Sequence, residues 1–145
     1  MENINDSNLY KAFIIVPLVI ALFTGGVSLY SKLSIEPAAA TLISSAETMK
    51  QGYVMLREPQ LFAGYRYWDS DGTAVKNTIR YFDFMINSGG EIKAEEKVYL
   101  ELLLDRRKGG SMLGLKTAVF MLIISSMGGA MLFLENRKKD TEKGS

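Results

Sequence analysis

The sequence predicts an all-α membrane protein in which two transmembrane helices flank a small three-helix soluble domain. Three observations predict this fold class. Residues 12–31 and 117–134 carry no charge, and a bilayer core needs roughly 20 apolar residues at about 1.5 Å each. A soluble domain of this size offers little space to bury two such helices. The segment between them has helical periodicity.

The chain therefore divides into five predicted parts. These are an N-terminal tail over 1–11, a first span over 12–31, a soluble domain over 34–110, a second span over 113–134 and a charged, disordered tail over 135–145. A cleaved signal peptide is the alternative for the first span. Its n-region would be basic, whereas Glu2 and Asp6 stand against Lys11, and the apolar run is too long. An uncleaved anchor is favoured, with a bend at Pro17.

Small residues recur along both predicted spans. The first span has Ala21, Gly25 and Ser28, and the second has Ser125 and Gly129. Helices in lipid associate through close backbone contact, which small residues four apart permit. The simplest prediction is an antiparallel hairpin of the two spans. The alternative is a homo-oligomer of several chains, packed through the stripe on the second span.

The first and second domain helices are predicted from apolar spacing. The first opens at Glu36 and Pro37, a favourable place for proline, and stops at Glu58 before Pro59. The second begins near Asp71 or Thr73 and ends at the Asn-Ser-Gly-Gly run over 87–90. The predicted buried faces are Leu42, Ala46, Met49, Tyr53 and Leu56 in the first, and Val75, Ile79, Phe82 and Ile86 in the second.

A third domain helix is predicted from Lys93 to Lys108, with acidic residues at its start and basic residues at its end, as the helix dipole favours. Its predicted buried stripe is Val98, Tyr99, Leu102 and Leu103. The aromatic connection over 61–68 is predicted to pack in the domain core or to lie at the membrane interface. Within it, Tyr65, Tyr67 and Trp68 are the candidate surface for a protein partner.

The chain has no histidine and no cysteine. This removes the common metal ligands, the cysteine nucleophile and histidine acid–base catalysis. We expect no enzyme activity, no metal and no cofactor. Basic residues before the second span are predicted to set topology or to contact lipid headgroups; they are Arg106, Arg107, Lys108 and Lys116. No nucleic-acid partner is expected, because charges of both signs alternate through the domain.

Two stretches carry a family resemblance. LREPQL over 56–61, followed by NTIRYFDFM over 77–85, resembles a pattern in uncharacterised bacterial membrane-anchored proteins with a small helical domain, where an N-x-x-x-Y-F-E helix is usual. Asp83 replaces that glutamate, and a second span departs from the commoner layout. The resemblance implies a cytoplasmic domain at the bacterial inner membrane and no activity. The lysines and arginines near the spans do not settle sidedness, so a periplasmic domain stays open.

Three functions are consistent with the sequence. The first is a non-enzymatic inner-membrane protein whose helical domain mediates protein–protein interaction or regulation. The second is an effector of a defence or toxin system that oligomerises and permeabilises the bilayer, for which the Ser125 and Gly129 stripe is the motive. The third is an immunity or superinfection-exclusion membrane protein. All three have the lipid bilayer as a partner.

Overall fold

The computed structural model describes residues 6–58 and 72–143, and every regular element in these ranges is helical. The elements are α1 (Asp6–Tyr30), a π-helical turn (Ser31–Ile35), α2 (Glu36–Ser44), α3 (Met49–Leu56), α4 (Gly72–Asn87), a 3₁₀ turn (Ala94–Glu96) and α5 (Lys97–Lys143). They form two compact units. The described residues up to Gly26 and from Gly114 onward make the helix pair, and those within Val27–Leu113 make the helical domain.

Two helical runs, Asn8–Ser44 and Ala94–Lys138, are long and apolar enough to cross a membrane. Only 22% of the most apolar stretch of the first run and 17% of the second is buried. The predictions of an all-α fold class, over the residues that the structure describes, and of two long apolar helices are therefore confirmed. The first helix begins at Asp6, inside the segment predicted as a tail.

The predicted first domain helix is wrong, because the chain forms two helices there. α2 ends at Ser44, and the backbone of Ser45 is extended. Thr48 closes the turn, since its hydroxyl donates to the Leu42 carbonyl at 2.7 Å. α3 then packs closely on α2 at Gly52, where an added Cβ would lie 2.8 Å from the Cγ1 atom of Ile43. Periodicity alone missed this break, because Met49 and later apolar residues stay in phase across it.

α4 has the predicted bounds and face. Val75, Ile79 and Phe82 are buried, and Ile86 packs against the same core. The helix ends in a Schellman motif at Gly89, whose φ of 79° suits glycine. The amide of Gly90 donates to the Met85 carbonyl at 2.9 Å, and the amide of Gly89 donates to the Ile86 carbonyl at 3.1 Å.

α5 differs from the prediction in three respects. It does not end at Lys108, and it continues through the charged tail to Lys143, which was predicted to be disordered. Its buried stripe in the domain is also shifted by about one residue. Val98, Tyr99 and Leu102 are exposed; the buried residues of the stripe are Leu100, Leu103, Leu104, Arg107 and Ser111. Because this stripe runs across Gly109 and Gly110, packing offsets their helix cost of about 1 kcal/mol each.

The domain core lies among α2, α3, α4 and the first turns of α5. Tyr53 and Phe82 are its largest fully buried side chains, followed by Ile43, Met49 and Leu100. The rings of Tyr53 and Phe82 pack with centroids 5.2 Å apart. The other members of the core cluster are Ala39, Leu56, Val75, Ile79, Ile92, Leu103 and Leu104.

Candidate functional site

In the helix pair, α5 contacts α1 in the turn that precedes Pro17. Proline has no amide hydrogen, so the carbonyl four residues earlier, at Phe13, loses its helical partner. α5 contacts the backbone there. The Ser125 hydroxyl donates to the carbonyl of Ile14 at 2.9 Å, and a Cβ added to Gly128 would lie 3.3 Å from the carbonyl oxygen of Phe13. Hydroxyl groups and close neighbours are what make proline tolerable in apolar helices.

The two glycines at 128 and 129 have different surroundings. Gly128 contacts α1, whereas nothing lies within 4 Å of a Cβ added to Gly129. At the other end of the pair, a Cβ on Gly25 would lie 3.2 Å from the Ala118 Cβ. These contacts run in opposite directions along the two helices, so the pair is antiparallel. Gly25 and Ser125 lie at the helix contact, where Gly128 rather than Gly129 meets α1; packing of Gly129 against another chain stays a prediction.

Two other predicted packing residues are buried. Ala21 is buried in the helix pair, and Ser28 is buried within the helical domain. The hydroxyl oxygen of Ser28 has no hydrogen-bond partner. It lies one turn before Ser31, on the same side of the helix. The spacing of the small residues predicted that Ser28 is buried. It did not predict the cluster of buried polar side chains that begins one turn later, at Ser31.

A cluster of buried polar side chains, which we term the Glu36 cluster, joins four elements of the domain, namely the π turn, α2, α3 and α5. The Arg107 Nε–H donates to the Ser31 hydroxyl at 2.8 Å, and Ser31 donates to the Glu36 Oε1 atom at 3.3 Å. Ser111 donates to that same oxygen. Arg107 also donates through Nη1 to the Leu56 carbonyl, at the end of α3, at 2.6 Å. All four charged and hydroxyl side chains are less than a tenth exposed.

The burial of Arg107 corrects one sequence prediction. A contact with lipid headgroups requires an exposed guanidinium, and that of Arg107 is enclosed in the domain. Lys108 is exposed and lies 3.5 Å from the Asp105 carboxylate, and Lys116 is also exposed. Arg106 is partly buried. For these three the topology prediction stays a prediction. Arginine side chains are mostly exposed in folded proteins. The spacing of the basic residues therefore did not indicate that Arg107 is buried.

The motif that carried the family resemblance ties α3 to α4. Asp83 accepts a hydrogen bond from the Tyr53 hydroxyl at 2.6 Å and pairs with Arg57 at 3.3 Å. The neighbouring Tyr81 hydroxyl donates to Glu96 at the 3₁₀ turn. This bond, together with desolvation and the Glu96 charge, raises the pKa of Tyr81 above its ordinary value of 10.0. These contacts give Arg57, Tyr81 and Asp83 of the motif a structural role; its residues 59–61 lie outside the described ranges.

Within residues 6–58 and 72–143, no group of histidine, cysteine, aspartate or glutamate side chains is arranged to hold a metal ion. The candidate partner residues Tyr65, Tyr67 and Trp68 lie outside those ranges. Exposed apolar side chains do occur on the domain, and the most exposed are Phe84 of α4, then Leu33 of the π turn and Val98 of α5. Comparison with known proteins finds no matching family model, no similar curated protein and no similar solved structure.

Proposed function

We propose that the chain is a non-enzymatic protein of the bacterial inner membrane, anchored by two spans, whose helical domain binds a protein partner. The outward-facing apolar side chains of the helix pair carry the membrane part of this proposal. Burying one large aliphatic or aromatic side chain is worth about 1.5–3 kcal/mol. Leu22, Phe23, Phe120 and Phe133 are more than half exposed, and a bilayer is the solvent that suits them.

The domain's own apolar surface supports the partner part of the proposal. Phe84 is 74% exposed and Val98 is 68% exposed, so both lie outside the domain core. Aromatic residues are enriched where proteins bind one another. Because Tyr65, Tyr67 and Trp68 lie outside the described residues, Phe84 is the position at which we propose that the partner binds.

A photo-crosslinking residue at position 84 tests the partner directly in cells. The proposal predicts one discrete adduct at this position and none at Asn77, an exposed polar residue of the same helix. Phe84→Ser should abolish capture by affinity purification while leaving thermal unfolding unchanged, because the side chain lies outside the core. Equal adducts at positions 77 and 84 would indicate random collision and would remove this surface.

Sidedness is tested by reporter fusions at Ser145. With two spans, both termini lie on the side opposite the domain, so a cytoplasmic domain predicts periplasmic termini. An alkaline phosphatase fusion, active only in the periplasm, should then be active, and a fluorescent reporter that requires the cytoplasm should be dark. The reverse pattern would place the domain in the periplasm.

One observation favours a second function, the oligomerising effector that permeabilises membranes. Gly129 is open to its surroundings, so it remains available for contact with another chain. Overproduction of the unaltered chain should then depolarise cells, and Gly129→Leu should abolish the effect. A normal membrane potential at a verified high level of the unaltered chain would remove this second function.

A further inference from the structure

Two segments of the helical domain have polar side chains on the inside and apolar side chains on the outside. They are residues 28–36, from the end of α1 to the start of α2, and residues 107–113 of α5. The polar side chains that are buried, each less than a tenth exposed, are Ser28, Ser31, Glu36, Arg107 and Ser111. The apolar side chains that are exposed, which we term the apolar collar, are Leu29, Tyr30, Leu33, Met112 and Leu113.

This arrangement is the reverse of the one that water favours. In water-soluble proteins, serine and charged residues are mostly exposed, and large aliphatic residues are the ones most often buried. Here Leu33 is 71% exposed and Leu113 is 62% exposed, whereas Glu36 and Arg107 are enclosed. Of the large apolar side chains in the two segments, Ile35 alone is buried.

A lipid environment favours the same arrangement. Polar groups at membrane depth must find their hydrogen-bond partners within the protein, and ionisable residues there face the protein interior and interact with one another. The Glu36 cluster meets both conditions. Arg107 donates to the Ser31 hydroxyl, which in turn donates to the Glu36 carboxylate, and Ser111 donates to the same carboxylate oxygen.

The position of the apolar collar favours lipid over a docked protein as its cover. Tyr30 points about 100° away from Leu29, and Leu113 points about 100° away from Met112. One docked protein covers one side of a helix, whereas lipid surrounds every outward side. Both segments also belong to the helical runs Asn8–Ser44 and Ala94–Lys138, which are long and apolar enough to cross a membrane.

We propose that lipid covers the apolar collar, so that the boundary between lipid and water crosses the helical domain at the Glu36 cluster. The inference rests on the membrane part of the proposed function. It extends the lipid-facing surface to Leu33, beyond residue 31, and back to Met112, before residue 113. Tyr30 is of a type common at this depth. The exposed Lys32 and Lys108 can place their ammonium groups among lipid headgroups while their stems lie along apolar surface.

Single spin-labelled cysteines test the proposal, because the natural chain contains no cysteine. Leu33→Cys and Leu113→Cys place labels on the apolar collar, at positions where the side chain is exposed. Thr41→Cys in α2 and Glu101→Cys in α5 are controls at exposed polar positions of the same domain. Phe23→Cys, at an exposed position of the helix pair, reports whether that pair lies in lipid. Each variant is the full chain, purified and reconstituted into vesicles of phosphatidylethanolamine and phosphatidylglycerol.

The measurement is the collision rate of each label with oxygen, which dissolves in lipid, divided by its collision rate with a water-soluble nickel chelate. The ratio at positions 33 and 113 should exceed the ratio at positions 41 and 101 by about fivefold or more, because an apolar medium excludes a polar solute. The ratio at position 23 should be high as well. Because the protein is purified, no other protein can cover the labels.

Three results would overturn the proposal. A low ratio at 33 and 113 with a high ratio at 23 would place the apolar collar in water and would leave the proposed function standing. A low ratio at position 23 too would remove the membrane location on which both depend. Slow collisions with both reagents at 33 and 113, with spectral broadening between labels of neighbouring chains, would show that a second copy of the chain covers the collar.

Discussion

Replacing Gly128 by leucine should separate the two helices of the pair, whereas the same change at Gly129 should not. An added Cβ at 128 lies 3.2 Å from the Ile14 Cγ1 atom and 3.3 Å from the Phe13 carbonyl carbon. The second neighbour is backbone, which cannot turn away as a flexible side chain could. Leucine adds three further carbon atoms beyond the Cβ in the same direction.

The expected effect on the helix pair is about 2 to 3 kcal/mol. Overpacking a close contact usually costs about 1–3 kcal/mol. Separation also breaks the hydrogen bond from Ser125 to Ile14, and such bonds between helices in membranes average about 0.6 kcal/mol. Together these terms should reduce the pairing equilibrium roughly 30- to 150-fold. At Gly129 no atom lies in the way, so leucine should have no comparable effect.

Disulfide formation between the helices measures pairing. Cysteines at Gly25 and Ala118 can report pairing, because the corresponding Cβ atoms lie 3.2 Å apart, a few tenths of an ångström closer than the roughly 3.5–4.5 Å of a disulfide bridge. Gly128→Leu should slow oxidation of this pair strongly in the full chain, and Gly129→Leu should leave its rate unchanged. Equal rates in both variants, or a larger loss at position 129, would refute the account of the helix contact.

Three further predictions concern the helical domain. Gly52→Ala should lower the free energy of unfolding by about 1–3 kcal/mol, because its Cβ would lie 2.8 Å from Ile43. Tyr53→Phe should lower it by about 1.5 kcal/mol, the low end for a bond to a charged group, since Asp83 is 40% exposed. Both are read from thermal unfolding of the full chain in detergent. The raised pKa of Tyr81 predicts that the neutral phenol's contribution to stability is present below about pH 10 and is lost as the pH rises above it. An absorbance titration should therefore show a late tyrosine that is missing in Tyr81→Phe.

Each of these predictions has a control. Gly109→Ala meets no atom within 4 Å and should stabilise the helix by up to about 1 kcal/mol. An equal stabilisation by Gly52→Ala would refute the close contact between α2 and α3 at this position. Asp83→Asn should remove most of the effect of Tyr53→Phe, and full additivity would show that the two side chains do not interact. Glu96→Gln should bring the pKa of Tyr81 back towards 10, and an unchanged late tyrosine would exclude that bond as its cause.

Sequence reasoning recovered the long apolar helices and α4, because each depends on local pattern and composition. Val75, Ile79 and Phe82 follow a helical period. Gly89 ends the helix because glycine readily adopts the positive φ that the helix end requires. The break between α2 and α3 was not predicted, since it depends on Thr48 bonding to a carbonyl six residues back and on the close contact at Gly52. Neither feature interrupts the apolar period.

The buried polar residues were the least predictable part of the candidate site. Glu36 was interpreted as the start of a helix and Arg107 as a topology signal, and both are typical roles for such residues. Their burial results from a π turn and from contacts between residues more than 70 positions apart. Sequence also could not show which of Gly128 and Gly129 contacts α1. Neighbouring helical residues differ by about 100° in direction, and only the position of the other helix decides which one makes contact.

Membrane extraction tests the central claim, that the two long apolar helices cross a lipid bilayer. Membranes from cells producing the full chain would be washed with alkaline carbonate, which releases peripheral proteins, and then centrifuged. We predict that the chain remains in the pellet and is released only by detergent. Recovery of a folded, monomeric chain in the carbonate supernatant would contradict the claim.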